Sequence, residues 1–286
     1  MSQQTQPAAR AGDPAIRHAF HESVEDGVVR LSRSWPHLLA TGFVGGVDLG
    51  LGVVAFFVVV DLTGSTPLGG LAFTIGFVAL TLGRSELFTE NFLVPFAAVV
   101  AHRARWHQIL RLWGGTLVAN LVGAWLIGLL VAVARPELAD TATRKAGEYT
   151  ELGIGWEAFC LAVLGGAAIT VMTWMERGSD TEIGRIVATV GVAFLLVVAP
   201  LNHVIVSSAE MFAALHYGAS FGYADMAGAA AWAVLGNALG GLGLVTLMRF
   251  IQVGVGYVAE SREHPDNVRR SGEGSQDERR PAGSSG

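Results

Sequence analysis

Six stretches of this chain are apolar for long enough to cross a bilayer, which takes roughly 20 residues as a helix. They run from about His37 to Val60, Leu68 to Val100, Ile109 to Ala134, Gly153 to Met175, Ile183 to Leu215 and Ala227 to Val258. The second and fifth are too long for one straight span, and both carry polar residues in the middle. These are Arg84, Glu86, Glu90 and Asn91 in the second, and Asn202, His203, Ser207 and Ser208 in the fifth. Length and polarity together predict discontinuous helices, whose unwound backbone must be satisfied by protein or by a water-filled cavity. Ahead of the first stretch, Ile16, Phe20, Val24, Val28 and Leu31 recur at helical spacing. They predict an amphipathic helix lying on the membrane face. The last residues, 259–286, are rich in Ser, Gly, Glu and Arg without apolar periodicity, and a disordered tail is expected. The expected organisation is an N-terminal segment (1–36), a transmembrane domain (37–258) and that tail.

Composition and charge sharpen this picture. Hydrophobic residues make up 51% of the 286 and charged residues 15%, where a soluble domain carries about 25% charge. A net charge of −5 offers no basic footprint for nucleic acid. The single cysteine, Cys160, excludes an internal disulfide framework. All but four of the 19 Lys and Arg residues fall in the N-terminal segment, the loops after the second and fourth stretches, or the C-terminal end; the exceptions are Arg84, Arg135, Arg144 and Lys145. The positive-inside rule then puts both termini in the cytoplasm, as an even number of spans requires.

The two halves share a pattern. Asn120-Leu-Val-Gly123 matches Asn237-Ala-Leu-Gly240 at an offset of 117 residues, and the same offset sets Glu86 on His203. The polar breaks therefore fall at equivalent places in two three-helix units. An odd number of spans per unit forces opposite orientation, and inverted repeats with paired broken helices place a permeation site near the midplane between them. Charged or titratable side chains at that depth are costly and mark function or a structural ion-pair network. Arg84, Glu86, Asp48 and Glu210 are read as intramembrane charges, with Arg84 paired to Glu86. His203 is the histidine nearest the membrane centre, and a histidine titrates close to cellular pH.

Several short motifs, in order, resemble those of the formate/nitrite transporter family. Ser85-Glu-Leu-Phe-Thr-Glu-Asn91 is similar to its AELFTGN signature, Leu201-Asn-His203 to its F-E-H, and Gly184-Arg-Ile186 to its G-K-I. Leu235-Gly-Asn-Ala-Leu-Gly-Gly241 resembles its glycine-flanked asparagine, and Glu157-Ala-Phe159 the start of its fourth helix. The resemblance implies an all-α, aquaporin-like fold of six transmembrane helices in two inverted repeats, with helices 2 and 5 broken. It implies a homopentamer in a bacterial-type inner membrane, with a pore in each protomer for small monovalent anions or their acids. Carried over by position, Leu87, Phe88 and Thr89 form a cytoplasmic constriction and central loop. Phe73, Phe77 and Leu196 form a periplasmic constriction, His203 is the central histidine, and Asn237 lines the pore.

The chain departs from the family where Glu90 replaces a glycine and Asn202 a glutamate. Gly166 takes the place of a pore-facing asparagine, and Thr150 that of a vestibule lysine, with Lys145 nearby but out of register.

These residues suggest proton-linked weak-acid transport. A bare anion in a narrow apolar pore meets a large desolvation cost that protonation removes. The expected partners are therefore a small weak-acid anion, a proton and the lipid bilayer, with no cofactor and no metal. The central site comprises His203, Thr89, Asn237, Asn202 and Glu90. One alternative is a pore for small neutral solutes such as water, ammonia or small polyols, which Glu90 and Glu210 would favour by repelling anions. Another is a membrane enzyme with Ser207 or Ser208, His203 and Glu210 as a triad, for which no nucleophile-elbow motif is present.

Overall fold

A computed structural model of the chain describes residues 13–254 and 257–259. Every regular element among them is helical. Helix α1 (Pro14–Ser32) begins where the Asp13 carboxylate accepts the Ala15 N–H at 2.9 Å and proline occupies the first helical turn. Helix α2 (Trp35–Thr63) ends at Gly64, whose φ of 67° is the left-handed value that closes a helix. Helices α3 (Thr66–Gly83), α4 (Val94–Val100) and α5 (Trp106–Ala134) complete the first half. Helix α6 (Ala139–Leu152) joins it to α7 (Trp156–Arg177), α8 (Glu182–Val198), α9 (Val204–His216) and α10 (Tyr223–Ala238). Helix α10 continues through a π-helical stretch, Leu239–Thr246, into α11 (Leu247–Val253).

Among the described residues, five helical runs are long and apolar enough to cross a membrane: α2, α3, α5, α7 and Tyr223–Val253. Their outer faces expose Leu51, Val118, Val122, Leu130 and Leu164, a surface that suits hydrocarbon rather than water. The fifth expected segment does not pass on length, because it is divided into α8 and α9 with irregular backbone at 199–203. In the second, regular helix stops at Gly83, and a short 3-10 turn at Phe88–Phe92 precedes α4. Arg84 closes α3 in the left-handed region, at φ 55°.

Two asparagines secure this irregular backbone. Asn120 on α5 donates from Nδ2 to Gly42 O (2.7 Å) and Glu86 O (2.8 Å), and its Oδ1 accepts the Phe88 N–H (2.8 Å). Asn237 on α10 donates to Ala162 O (2.7 Å) and Asn202 O (2.8 Å), and accepts the Val204 N–H (2.9 Å). The two amides thus hold equivalent groups in the two halves. Their bonds pair Glu86 with Asn202, one residue away from the expected match with His203.

Glycines let the helices come close enough for these bonds. A Cβ on Gly46 would lie 2.1 Å from Asn120 O, and one on Gly166 would lie 2.1 Å from Asn237 O. Gly166 is therefore a contact point between α7 and α10, where a side chain would meet the Asn237 backbone.

Helix α1 differs from its expectation. Phe20, Val24 and Leu31 are buried, Phe20 packs edge-on against Phe250 at 5.4 Å, and Gly27 abuts Val94 O of α4. Its apolar side is covered by protein, so it is a packed part of the fold and not a helix floating on lipid. Most of the expected tail, 260–286, lies outside the described residues.

The clamp geometry makes a direct expectation. Asn237→Leu leaves the Asn202 carbonyl and the Val204 N–H without this partner in the interior, at about 1–3 kcal/mol each. Thermal unfolding in detergent should show a loss of several degrees or more in Tm; a variant as stable as the parent would contradict the clamp.

Candidate functional site

The path through the bundle can be followed along α3. Its N-terminal Thr66 lines a cavity of about 110 Å³ roofed by α6, and its C-terminal Leu80 and Thr81 line a second cavity, of about 240 Å³, beside α1. The residues between them span about 20 Å at helical rise. Helix α8 runs the opposite way, from Arg185 in the α1-end cavity to Leu196 in the α6-end one.

Between the cavities the two breaks meet. Thr89 Oγ1 lies 2.6 Å from His203 Nε2, and both residues are fully buried. His203 caps α9, its Nδ1 accepting the Val206 N–H at 3.4 Å. An accepting Nδ1 carries no proton, so this pattern assigns the proton of the neutral ring to Nε2, which donates to Thr89. The threonine's own hydroxyl proton is then free to point at a passing group. An imidazolium would place a proton on Nδ1 and lose the cap. The Phe77 ring centroid stands 6.4 Å from that of His203, and Phe73 stacks edge-on to Phe77 at 5.7 Å. Phe73, Phe77 and Leu196 thus lie on the α6 side of the histidine, and all three are buried.

The other expected residues divide. Leu87 and Phe88 are buried and line neither cavity, and the Phe88 ring packs with Phe92 (5.1 Å) and Trp113 (5.9 Å). Asn202 is buried, and its Oδ1 has no hydrogen-bond partner among the described residues. Asn237 commits three of its hydrogen bonds to backbone, which makes it a fastener of the breaks rather than a free pore-lining amide. Ser207 donates to His203 O and Val204 O within its own helix, and the His203 ring bonds Thr89, so the serine–histidine–glutamate triad does not form.

The expected charge network is also rearranged. Arg84 is exposed and makes no ion pair with Glu86. Glu86 is held by Arg30 (3.0 Å) and Arg33, both belonging to the N-terminal segment. Arg30 also meets Asp26 (2.9 Å) and Glu90 (3.5 Å), and donates to Asn91 Oδ1 (3.0 Å). Asp26 in turn pairs with Arg177 at 2.8 Å. One buried arginine therefore ties α1 to the first break. It was counted only as an orienting charge in the sequence, because nothing local marks a contact with residues some 60 positions away. Asp48 accepts from Ser85 Oγ at 2.6 Å. Glu210 stands apart at the α6 end, accepting from Tyr149 OH at 3.3 Å. Lys145 lines that cavity too, whereas the Thr150 hydroxyl donates to Gly147 O within α6. The lysine of this mouth is thus Lys145, despite its register. The described residues include no group of His, Cys, Asp and Glu that could hold a metal.

The model of formate/nitrite transporters matches residues 17–251. The chain belongs to the formate/nitrite transporter family. Among curated relatives, "Inner membrane protein YfdC" of Escherichia coli (strain K12) is 27% identical over 252 residues, covering 84% of this chain and 80% of that one. Of solved structures, "FNT family ion channel" superposes with a TM-score of 0.76 at 18% identity, covering 82% of this chain and 98% of the other. "Pentameric formate channel with formate bound" superposes at 0.62 and 17% identity, covering 76% and 96%. The family is one of formate and nitrite transporters, and the fold is that of these channels.

In this family member the Arg30 cluster has a measurable consequence. Burial works to raise the Asp26 carboxyl, but Arg30 and Arg177 outweigh burial and hold it below its ordinary 3.8. A depressed carboxyl stabilises the fold above its unfolded pKa, and that contribution is lost as pH falls through the lowered value. Asp26→Asn should therefore lower Tm at pH 7, with the gap to the parent narrowing below about pH 4. Arg30→Met leaves Glu86 and Glu90 without their shared partner and should cost about 3–5 kcal/mol, read as a loss of Tm. An Arg30→Met protein as stable as the parent would show that α1 is not held this way.

Proposed function

We propose that the chain is a channel-like transporter of small weak acids, taking up the anion and carrying it across the narrowest part of the pore together with a proton. The observation that carries this reading is the Thr89–His203 contact at 2.6 Å, set between two cavities and bordered by Phe73, Phe77 and Leu196. An anion entering the apolar stretch loses its water, and the cost of burying its charge is large. Thr89 offers a hydroxyl hydrogen to it, with the His203 Nε2–H immediately behind. The ring first takes a proton onto Nδ1 from the opposite cavity, giving up the Val206 cap; the imidazolium then passes its Nε2 proton through the Thr89 hydroxyl to the anion, which becomes neutral and leaves His203 as the neutral ring again. The unpartnered Asn202 Oδ1 supplies an acceptor of the kind an acid O–H requires.

The matching asparagine clamps support a second level of the proposal. The two halves are inverted three-helix repeats, with α3–α4 and α8–α9 as the paired broken helices. The α1 end is cytoplasmic, as the basic residues of the N-terminal segment favour, and α6 lies on the periplasmic side of an inner membrane. The pentameric formate channel among the fold neighbours supports a homopentamer with one pore per protomer. The substrate class is the small monovalent anion of a weak acid, such as formate, nitrite or lactate.

Flux into liposomes carrying the purified protein tests this. Formate, nitrite, lactate and fluoride are supplied separately between pH 5 and 8. Uptake of at least one should rise as external pH falls. Loss of a positioned proton-transfer group costs a hundredfold or more where transfer limits the rate, so His203→Ala and Thr89→Val should each slow uptake at least about tenfold. Wild-type rates in both variants would overturn the proton step. No acid uptake by intact oligomers that pass water or ammonia would replace this reading with a neutral-solute pore.

A further inference from the structure

Glu210 is the buried carboxyl group that the central chemistry leaves unused. It lies seven residues beyond His203 along α9, two turns and about 10 Å nearer the α6 end, on the same helix face. The residue is 5% exposed. Among the described residues its one hydrogen-bond partner is the Tyr149 hydroxyl, at 3.3 Å. A single hydroxyl is thin compensation for a buried carboxylate charge, so the site is complete only when a proton or a cationic neighbour joins it. The ionisable groups that face Glu210 are Tyr149, Lys145 and Glu148, all from α6. Lys145 is itself paired with Glu148 at 2.9 Å. The other elements lining this cavity contribute Phe56 from α2, Thr66 from α3 and Leu196–Val198 from α8, none of which ionises. The cavity holds about 110 Å³, room for a few atoms, and it borders the apolar constriction through Leu196.

We propose that Glu210, with Tyr149, forms a proton-loading site at the α6 mouth, which protonates a small carboxylate or similar weak-acid anion before it meets Leu196, Phe73 and Phe77. Lys145 draws the anion into the cavity. The Glu210 O–H bond breaks and a new O–H bond forms on the permeant, which moves on as a neutral acid. Glu210 is left as a carboxylate, held by the Tyr149 hydroxyl and the nearby Lys145 charge, and takes its next proton from water in the cavity. No other bond changes. The inference rests on the weak-acid reading above and adds a second protonation point on the far side of the constriction from Thr89. It makes Glu210 a determinant of which permeants pass: those whose anions accept a proton from a carboxylic acid.

The test is formate uptake by the full-length protein in liposomes as a function of external pH, comparing wild type with Glu210→Gln, Glu210→Asp and Tyr149→Phe. Glutamine keeps the shape and the hydrogen bond to Tyr149 but cannot give up a proton to an anion. Glu210→Gln is expected to lose the acid stimulation and to run at least about tenfold slower at the acid end, with Glu210→Asp restoring part of both. A merely structural glutamate would change the rate without changing the shape of the pH profile. A Glu210→Gln protein with the wild-type profile overturns the proposal while leaving the central site untouched. If that variant fails to assemble, Tyr149→Phe decides. It removes only one hydroxyl and should displace the midpoint of the profile; an unmoved midpoint overturns the proposal. A wild-type protein that carries no weak acid at all overturns the transport reading and this inference with it.

Discussion

A chain that stops being helical in the middle of an apolar bundle exposes backbone N–H and C=O groups to surroundings that cannot hydrogen-bond them. Everything else here depends on how that problem is met. Asn120 and Asn237 meet it with one amide each, binding one carbonyl and one N–H of each break and tying them to a carbonyl of the neighbouring intact helix, Gly42 O of α2 or Ala162 O of α7. An asparagine is suited to this because it presents donors and an acceptor on one short, stiff side chain. The neighbouring glycines let α2 and α7 approach closely enough for those bonds to be made. With the breaks fixed, Thr89 and His203 arrive at hydrogen-bonding distance from opposite halves of the chain, a contact that neither half can build alone.

Charge is distributed around that centre unequally. The α1 end is crowded with paired arginines and carboxylates, and Arg30 ties a helix that is not part of the apolar bundle to the first break. The α6 end has one lysine, one tyrosine and two glutamates around a small cavity. Between them the lining is phenylalanine and leucine. A permeant thus meets polar groups, then an apolar stretch, then polar groups again, and the proposed proton steps sit at the borders where charge becomes costly.

Much of this was legible in the sequence, and the reasons are physical. Apolar length and the polar interruptions located the segments, because a bilayer imposes both constraints on composition directly. Asn120 and Asn237 stood out for the shared Asn-x-x-Gly pattern, although their work as clamps rather than pore lining needed the geometry. Helix α6 was missed: it carries many polar residues, and only Ala142, Ala146 and Tyr149 mark its inner side at helical spacing. Arg84 and Glu86 looked like a pair because they are neighbours in sequence, yet the left-handed residue at the end of α3 turns Arg84 outward and leaves Glu86 to Arg30 and Arg33. Long-range ion pairs of that kind leave no local trace. The substrate itself leaves little trace either, since any small acid presents the same two demands, a proton and an apolar passage.

The most direct test of the proposed mechanism is whether charge crosses with the permeant. Liposomes loaded with a pH indicator, with potassium and valinomycin to set the membrane potential, would be exposed to formate. If the permeant passes the constriction as a neutral acid, the lumen acidifies by one proton per formate taken up, and the initial rate is indifferent to the imposed potential. Uptake that follows the potential without acidifying the lumen would mean that the bare anion passes, and the account built on Thr89 and His203 would be wrong.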